Sequence, residues 1–445
     1  MKKLVLVFFA GIIVFSGCSD KVTETVTYLI NEPVFMSEDA FRKSVVVGTE
    51  PQPISNYGKM CFYEGFIYIA ESGKGIHIIN NTDPANPVNF GFIELLGNAD
   101  LAIRNGKLYA DALIDLVWFD ISNPAMPNLE GRLENVFAQF LPLPNTGNEF
   151  PIDYGLCYDG YGSKGIVVSW NVNERNETIS YESTRWGGGW FSGFAAKDNA
   201  TSPVMEVAAP GGSSGVNGSM SRFTLYKNYL YSVINNYMSI IDLSENEPVK
   251  VVENIYIGWN VETIFSYKDN MFMGTPTGMF IYSVEDPLEP KYISSVQHIF
   301  GCDPVVVEND IAYVTIHSGN NCGQLVNDLM IYDVSNVREP KHIITYAMTK
   351  PKGLGIDNSI LFLCDDGLKV FNAANPQKLP TNMLAHFSGM EGFDVIPFDN
   401  VLMMIAEEGL YQYDYSDLTT KFTDGTITKG DTDLVRLLSV IPIVK

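Results

Sequence analysis

Residues 68–84 read Tyr68-Ile-Ala-Glu-Ser-Gly-Lys-Gly-Ile-His-Ile-Ile-Asn80-Asn-Thr-Asp-Pro84: an aromatic-ended strand, a glycine turn, a second apolar strand and a proline-bearing turn. This sequence motif recurs along the chain, and each copy is marked by the Asp, Asn or Ser that ends its second strand. The markers are Asn80, Asp120, Asp242, Ser283, Asp333, Asn372 and Asp414. Their spacings are 40, 122, 41, 50, 39 and 42 residues. A period near 40 in a chain of strands is typical of propeller blades.

The repeat therefore predicts an all-β chain, a β-propeller of four-stranded antiparallel sheets around a central channel. In the fifth copy the strands are predicted at 304–308, 311–316, 329–334 and 341–346, with Asn309-Asp310 as the first hairpin turn. Inner strands of a propeller are covered on both faces, so they should be apolar throughout, as Val305-Val306-Val307 is.

The 122-residue interval is close to three periods. The stretch at about 138–220 is either a degenerate eighth blade or a long insertion after the second blade. We favour seven blades with an insertion, and eight blades are the alternative. Long insertions in a rigid scaffold often contain binding or catalytic residues.

The first 17 residues have the features of a secretory signal. Lys2-Lys3 precede a 12-residue apolar run, Leu4–Phe15, which is too short for a membrane-spanning helix of ~20 residues. Phe15-Ser-Gly-Cys18 resembles a bacterial lipobox, so Cys18 is predicted to carry the lipid anchor. An ordinary signal peptide is the alternative.

Residues 18–44 are polar and lack a sustained period, which predicts a lipid-anchored tether in front of a propeller at 45–445. The expected location is the bacterial cell envelope, with the chain anchored to the outer membrane. Whether it faces the periplasm or the cell surface stays open. The lipid is its one predicted membrane contact.

Five cysteines remain besides Cys18, an odd number, so at least one thiol is unpaired. Cys302 precedes one apolar strand and Cys322 lies in the turn after the next, at the same end of a blade. This placement predicts a disulfide between them. A metal site is the alternative, although the spacing fits no familiar zinc motif. Cys61 and Cys364 lie in apolar strands, where packed thiols are expected.

The net charge of −23 argues against a nucleic-acid partner, because such binding depends on Lys and Arg displacing counterions. The charge, the apolar content of 46% and the leader together indicate a folded, acidic envelope protein. A monomer is expected.

Three segments, at 301–307, 353–356 and 409–415, resemble the LVIVD-repeat family of β-propeller lipoproteins of Bacteroides-type bacteria. The likeness runs from about Tyr63 to Tyr415, although some copies depart from the five-letter core, as Ile281-Tyr-Ser283 does. The resemblance implies a propeller and an envelope location, and it implies no defined activity.

The loops that lead into the first strands should meet at one mouth of the channel. A ring rich in carboxylates there would suit a cation or a polyhydroxylated ligand, although such residues also cap strand ends in contact with water. The predicted ligand-binding residues are Asp100, Trp259, Glu262, Asp303, Lys352, Glu391 and Asp394.

A second candidate lies in the insertion, where Trp186, Trp190 and Phe191 stand among glycines. These rings are predicted either to stack on a sugar or a partner, or to pack against the propeller and hold the insertion in place.

The leading hypothesis is a non-enzymatic propeller that binds or scaffolds a glycan or an envelope protein, without cofactor or metal. No combination of nucleophile, base and orienting residue emerges from the sequence. The alternative is a polysaccharide-active hydrolase or lyase that uses two carboxylates at the mouth, such as Asp100 with Glu262 or Asp394. Glycosidase carboxyl pairs lie ~5–9.5 Å apart.

Overall fold

The structure, a computed structural model, describes residues 22–48, 50–137, 141–142, 144, 149–160, 163–181, 214–234, 236–245, 247–258, 261–275, 277–297, 304–317, 326–423 and 432–444. Strand β1 (Val22–Met36), helix α1 (Glu38–Arg42) and the short strand β2 (Val46–Gly48) come first. Two blades of four antiparallel strands follow, and a further strand on each edge extends the sheet of the first blade to six strands. Blade 1 contains β3 (Tyr57–Tyr63), β4 (Phe66–Glu71), β5 (Gly75–Asn80) and β6 (Val88–Glu94); blade 2 contains β7 (Leu101–Arg104), β8 (Lys107–Ala112), β9 (Asp115–Asp120) and β10 (Asn128–Leu133).

An insertion separates these blades from the rest of the ring. Its described part contains helix α2 (Tyr154–Gly160), strand β11 (Ile166–Tyr181) and the two-residue strand β12 (Val216–Asn217). Strand β11 pairs with β1, and β12 pairs with β3. The insertion therefore adds structure both outside the ring and inside it.

Five further sheets complete the ring. Blade 3 contains β13 (Phe223–Tyr226), β14 (Tyr229–Ile234), β15 (Tyr237–Asp242) and β16 (Val249–Tyr256), and blade 4 contains β17 (Thr263–Tyr267), β18 (Asn270–Thr275), β19 (Gly278–Ser283) and β20 (Lys291–Gln297). Blade 5 contains β21 (Val305–Glu308), β22 (Ile311–Ile316), β23 (Asp328–Asp333) and β24 (Lys341–Ala347), and blade 6 contains β25 (Leu354–Asp357), β26 (Ile360–Cys364), β27 (Leu368–Asn372) and β28 (Met383–Phe387). Blade 7 contains β29 (Gly392–Phe398), β30 (Val401–Ala406), β31 (Gly409–Asp414) and β32 (Arg436–Pro442). Helix α3 (Ser416–Thr423) and two 3-10 turns, Pro376–Asn382 and Thr432–Leu434, lie between these strands. The predicted seven-bladed propeller is confirmed.

The seven innermost strands touch one another in sequence, and β29 of blade 7 touches β3 of blade 1, so the ring is closed. Apolar side chains fill the spaces between blades. At the closing seam, Ile67 and Ile69 of blade 1 share a core with Ile396 and Ile405 of blade 7, and all four are buried. Burying one such side chain contributes roughly 1.5–3 kcal/mol, and neighbouring blades repeat this packing.

Two local features explain the repeated sequence motif. The marker at the end of each third strand accepts a hydrogen bond from the backbone N–H two residues later, which shapes the turn that follows. The first two strands of each blade are joined by a two-residue turn whose first residue has a φ between 45° and 52°. Asn105 and Gly106 both have positive φ, as a type I′ hairpin requires.

Within the predicted tether at 18–44, the described residues form regular structure. Strand β1 forms a 15-residue antiparallel ribbon with β11, Phe41 of α1 is buried in the core of blades 1 and 2, and β2 adds a strand to β6. Thr, Val and Tyr favour strands even where they do not alternate with polar residues. The pairing partner of β1 is at least 130 residues away, so no local pattern indicated it.

Candidate functional site

One register position recurs in all seven blades: the residue before the last four residues of the innermost strand. Its occupants in blades 1 to 7 are Lys59, Asp100, Arg222, Thr263, Pro304, Gly353 and Asp394. From blade 7 to blade 3 the charge alternates, because Asp394, Lys59, Asp100 and Arg222 follow one another around the ring. We call the face at which the innermost strands begin the top face.

Residues 214–222, here called the plug, run through the channel antiparallel to the innermost strands. Gly215 donates its N–H to the carbonyl of Ile103 in blade 2, at 2.7 Å, and β12 pairs with β3 of blade 1. Ser221 accepts from the N–H of Ile264 in blade 4, at 2.9 Å. The plug thus binds the inner strands on several sides and contacts the predicted residues Asp100 and Asp394.

Asp394 holds the plug to blade 7. Its carboxylate accepts hydrogen bonds from the backbone N–H and hydroxyl of Ser219, at 3.1 and 2.9 Å, and from the N–H of Met220, at 3.2 Å. The Ser219 hydroxyl also accepts from the N–H of Leu354 in blade 6, at 2.9 Å. Burial raises the pKa of Asp394 to about 6, although Lys59 and these donors act in the opposite direction. A Cβ at Gly218 or Gly353 would overlap this carboxylate, so both positions require glycine.

Asp100 holds the upper end of the plug to blade 2. Its carboxylate accepts from the hydroxyl of Ser221, at 2.9 Å, and from the backbone N–H of Arg222. Burial raises its pKa, and the Arg222 guanidinium partly offsets that effect. Beside it, Asp111 accepts from the N–H groups of Ala99 and Asp100, both at 2.8 Å, and burial raises its pKa to about 6.

Lys59 completes the alternating set. Its ammonium lies 5.7 Å from the ring centroid of Phe393, within the range of a cation–π contact. Burial lowers its pKa, while the carboxylates of Asp100, Asp394 and Glu262 oppose that change. The predicted residues Asp100, Glu262 and Asp394 therefore share one electrostatic environment, together with Lys59 and Arg222, which sequence reasoning missed.

The other described members of the predicted ring form a separate cluster. Glu391 accepts from the ammonium groups of Lys350 and Lys352, at 2.7 and 2.8 Å. The hydrogen bonds of Lys350 and then Lys352 lower the pKa of Glu391 to about 2. This cluster lies at the top face, because Glu391 directly precedes β29, and 42% of the Glu391 side chain is exposed.

Several predicted residues lie outside the described part of the chain. They are the anchor Cys18, the disulfide pair Cys302 and Cys322, the ring members Trp259 and Asp303, and the insertion aromatics Trp186, Trp190 and Phe191. Cys61, Cys157 and Cys364 are described as free, buried thiols. The described residues contain no group of three or more His, Cys, Asp or Glu side chains placed to hold a metal ion. None of the described helices combines the length and hydropathy required to cross a bilayer.

Sequence reasoning also missed a cavity of about 580 Å³ above blade 1, on the top face outside the channel. The loop before β3, the end of β6, and the pair Glu71 and His77 line it. Both side chains are buried, and Nε2 of His77 lies 3.0 Å from Oε2 of Glu71. The Glu-x-x-x-x-x-His spacing across the β4–β5 turn is the one sequence signal that could have indicated this pair.

Comparison with known proteins supports the repeat. The family model for the LVIVD repeat matches residues 59–92, 106–134 and 217–251. These three spans lie in blade 1, in blade 2, and in blade 3 with part of the plug. The segments whose sequence resembles the family lie at blades 5, 6 and 7. No curated protein sequence matches the chain.

Among solved structures, a Lactobacillus plantarum protein is 11% identical with a TM-score of 0.48, covering 86% of this chain and all of that one. The periplasmic gluconolactonase PpgL of Pseudomonas aeruginosa is 10% identical with a TM-score of 0.45, covering 87% of this chain and 99% of its own. Hsv2 of Kluyveromyces lactis is 10% identical with a TM-score of 0.43, covering 80% and 93% respectively.

Proposed function

We propose that this chain is a non-enzymatic propeller, anchored by lipid in the bacterial cell envelope, that binds or scaffolds a partner at its top face. The observation that carries the proposal is the occupied channel. Asp100 and Asp394, the carboxylates best placed for catalysis, accept hydrogen bonds from the plug. A general acid or base must reach the proton of a substrate, and these groups are buried against their own chain.

The β1–β11 ribbon supports the proposed attachment. Its far end pairs Val22 with Tyr181, and Val22 lies four residues after Cys18 in the sequence. A 15-residue strand at about 3.4 Å per residue extends for about 50 Å. A lipid on Cys18 would therefore sit near one end of a paired ribbon, with the blades at the other end. The glycan or envelope protein would then bind a propeller that is held away from the bilayer.

Fractionation tests the anchor. The full chain, expressed in a bacterium with a lipoprotein pathway, should pellet with the outer membrane and be released by detergent but not by carbonate. Cys18→Ala should move to the soluble fraction, and Ser19→Ala, one residue away, should behave as wild type. A Cys18→Ala chain that stays in the membrane would remove the lipid anchor from the proposal.

Turnover tests the absence of catalysis. The purified chain is incubated with a panel of bacterial and plant polysaccharides, and new reducing ends and unsaturated uronates are measured. We expect neither product above the level of a heat-denatured control. Product that is formed by wild type and lost in Asp100→Asn would instead establish the hydrolase or lyase alternative.

A further inference from the structure

A second cavity, of about 520 Å³, lies between blades 1 and 7 on the bottom face, the face at which the innermost strands end. The first hairpin turns of both blades, the turn after β5 and the start of the plug line it. Phe62 and Phe398 are part of its wall, with ring centroids 5.1 Å apart. Small-molecule and side-chain pockets of this size typically combine apolar walls with a few placed polar groups.

Asn81 is a polar residue of this cavity at a position where the repeat is otherwise not polar. It follows the marker of blade 1, and in every blade the residue after the marker donates its backbone N–H to a carbonyl of the first hairpin turn, at 2.8 or 2.9 Å. Blade 1 thus places an amide where the other six blades place an aliphatic or tyrosine side chain. Those six residues are Ile121, Leu243, Val284, Val334, Ala373 and Tyr415.

The Asn81 amide keeps one donor for the cavity. Its Oδ1 accepts from Nε2 of Gln412 in blade 7, which itself stands at a position that is apolar in the other six blades. Only 4% of Asn81 is exposed, and within the described part of the chain its Nδ2 has no hydrogen-bond partner. Nδ2 is nevertheless not sealed from solvent, and Asn81 lines the cavity, so a ligand there reaches this donor. A polar atom so placed usually has a bound partner.

Two carboxylates stand at the edge of the cavity. Glu64 and Asp399 occupy the first position of the first hairpin turn in blades 1 and 7, and both line the cavity. The same position holds Asn or Lys in the other five blades. Neither carboxylate has an ion-pair partner among the described residues, and no Lys, Arg or His of the described chain lines the cavity. The two blades that flank the cavity are therefore the two that place a negative charge beside it.

We propose that this cavity binds a basic side chain of a polypeptide partner, with arginine preferred. The aliphatic stem packs on Phe62 and Phe398, while the guanidinium stays at the wet edge and pairs with Glu64 and Asp399. A peptide carbonyl beside that side chain accepts from Nδ2 of Asn81. The two carboxylates oppose an anionic ligand. This site lies on the face opposite to the proposed partner surface and is a separate binding function.

The test is a titration of the full chain in detergent with N-acetyl-arginine methylamide, followed by ligand-observed NMR or calorimetry. This blocked arginine should bind saturably. N-acetyl-norleucine methylamide, which has an apolar stem and no charge, should bind at least tenfold more weakly. Free arginine should also bind more weakly, because its own carboxylate meets those of Glu64 and Asp399.

Charge variants test the edge of the cavity. Glu64→Gln and Asp399→Asn should each weaken binding of blocked arginine about three- to fivefold, which is the effect of one exposed ion pair. The double variant should weaken it about tenfold or more. Glu245→Gln removes an exposed carboxylate from a turn of blade 3 and should bind as wild type.

A repeat-matched variant tests the donor. Asn81→Val combined with Gln412→Ile gives both positions side chains that other blades have there, as Val284 and Ile281 do in blade 4. Because both hydrogen-bond partners are replaced together, the fold should keep its melting temperature within a few degrees. Binding of blocked arginine should fall about tenfold, which corresponds to one lost hydrogen bond.

Four results would overturn the inference. Blocked arginine that does not bind wild type would remove the site, and equal binding of blocked norleucine would show that no cation is recognised. Equal binding of free arginine would assign the cavity to an amino acid instead of a polypeptide. Unchanged binding in the repeat-matched and double charge variants, with melting curves that show both folded, would place the ligand elsewhere. None of these results bears on the envelope anchor, on turnover or on the top face.

Discussion

The centre of the propeller and the cavity above blade 1 both rely on buried carboxylates held by hydrogen-bond donors. In the centre, Asp100 and Asp394 receive their donors from the plug, and the space around them is filled by the chain itself. Above blade 1, Glu71 is equally satisfied, but its partner His77 retains an acceptor beside a cavity. The centre of this propeller is thus filled by its own chain, and the unpartnered nitrogen of His77 lies off the axis, buried in blade 1.

The contrast shows how equivalent positions of a repeat can receive different partners. Every blade offers the same register positions, so a carboxylate near the axis and a carboxylate at the end of a second strand meet similar backbone donors. What differs is the last partner that each receives. In the centre that partner is the plug, whereas in blade 1 it is the buried imidazole of His77, whose Nδ1 has no hydrogen-bond partner among the described residues.

The largest effect should follow from removing a central carboxylate. Asp394→Ala leaves the N–H groups of Ser219 and Met220 without their buried acceptor and Lys59 without one of its carboxylates. We expect a loss of about 3–5 kcal/mol in the free energy of unfolding, measured by urea denaturation. Glu245→Ala, on an exposed turn of blade 3, is the control and should stay within about 0.5 kcal/mol. A loss below about 1 kcal/mol for Asp394→Ala would mean that the plug does not stabilise the ring.

The two regions should also respond to pH with opposite sign. The pKa of Asp394 is raised to about 6 from 3.8, so between about pH 4 and 6 the folded chain binds more protons than the unfolded chain. The contribution of Asp394 to stability therefore falls as the pH rises through this window, by up to about 1.4 kcal/mol per pH unit. The pKa of Glu71 is lowered to about 2 from 4.5, so its contribution is present above pH 4.5 and is lost as the pH falls.

Denaturation of wild type, Asp394→Asn and Glu71→Gln from pH 3 to 7 measures both slopes by difference. The stability difference between wild type and Asp394→Asn should fall as the pH rises from 4 to 6. The difference for Glu71→Gln should fall as the pH drops below 4.5. Parallel profiles for the two variants would contradict the contrast between the centre and blade 1.

Much of the ring was predictable because its signals are local. The period near 40, the marker residues and the two-residue turns each depend on a few neighbouring side chains, and blade 5 has strands within one residue of those predicted. Asp100 and Asp394 were also found from their position at the start of an innermost strand, although as ligand-binding residues.

The parts that sequence reasoning missed depend on long-range pairing. Strand β1 pairs with β11, and Ser219 contacts Asp394, which lies 175 residues away in the sequence. A Gly- and Ser-rich stretch before blade 3 has no apolar pattern that would place it in the channel, because the plug binds mainly through backbone and hydroxyl groups. The role of Asp100 and Asp394 could not be inferred without that contact.

The smallest predicted effect compares two acid–base pairs at matched register positions, Glu71 with His77 in blade 1 and Asp365 with Lys369 in blade 6. His77→Gln retains a donor to Glu71, so the free energy of unfolding should change by less than about 1 kcal/mol. Lys369→Gln removes the charged donor of Asp365, which is fully buried, and should therefore cost about 1 kcal/mol more. Urea denaturation of both variants at pH 7 measures this difference. Equal losses would mean that His77 serves the fold in the same way as Lys369, and the unpartnered Nδ1 would then not distinguish blade 1 from blade 6.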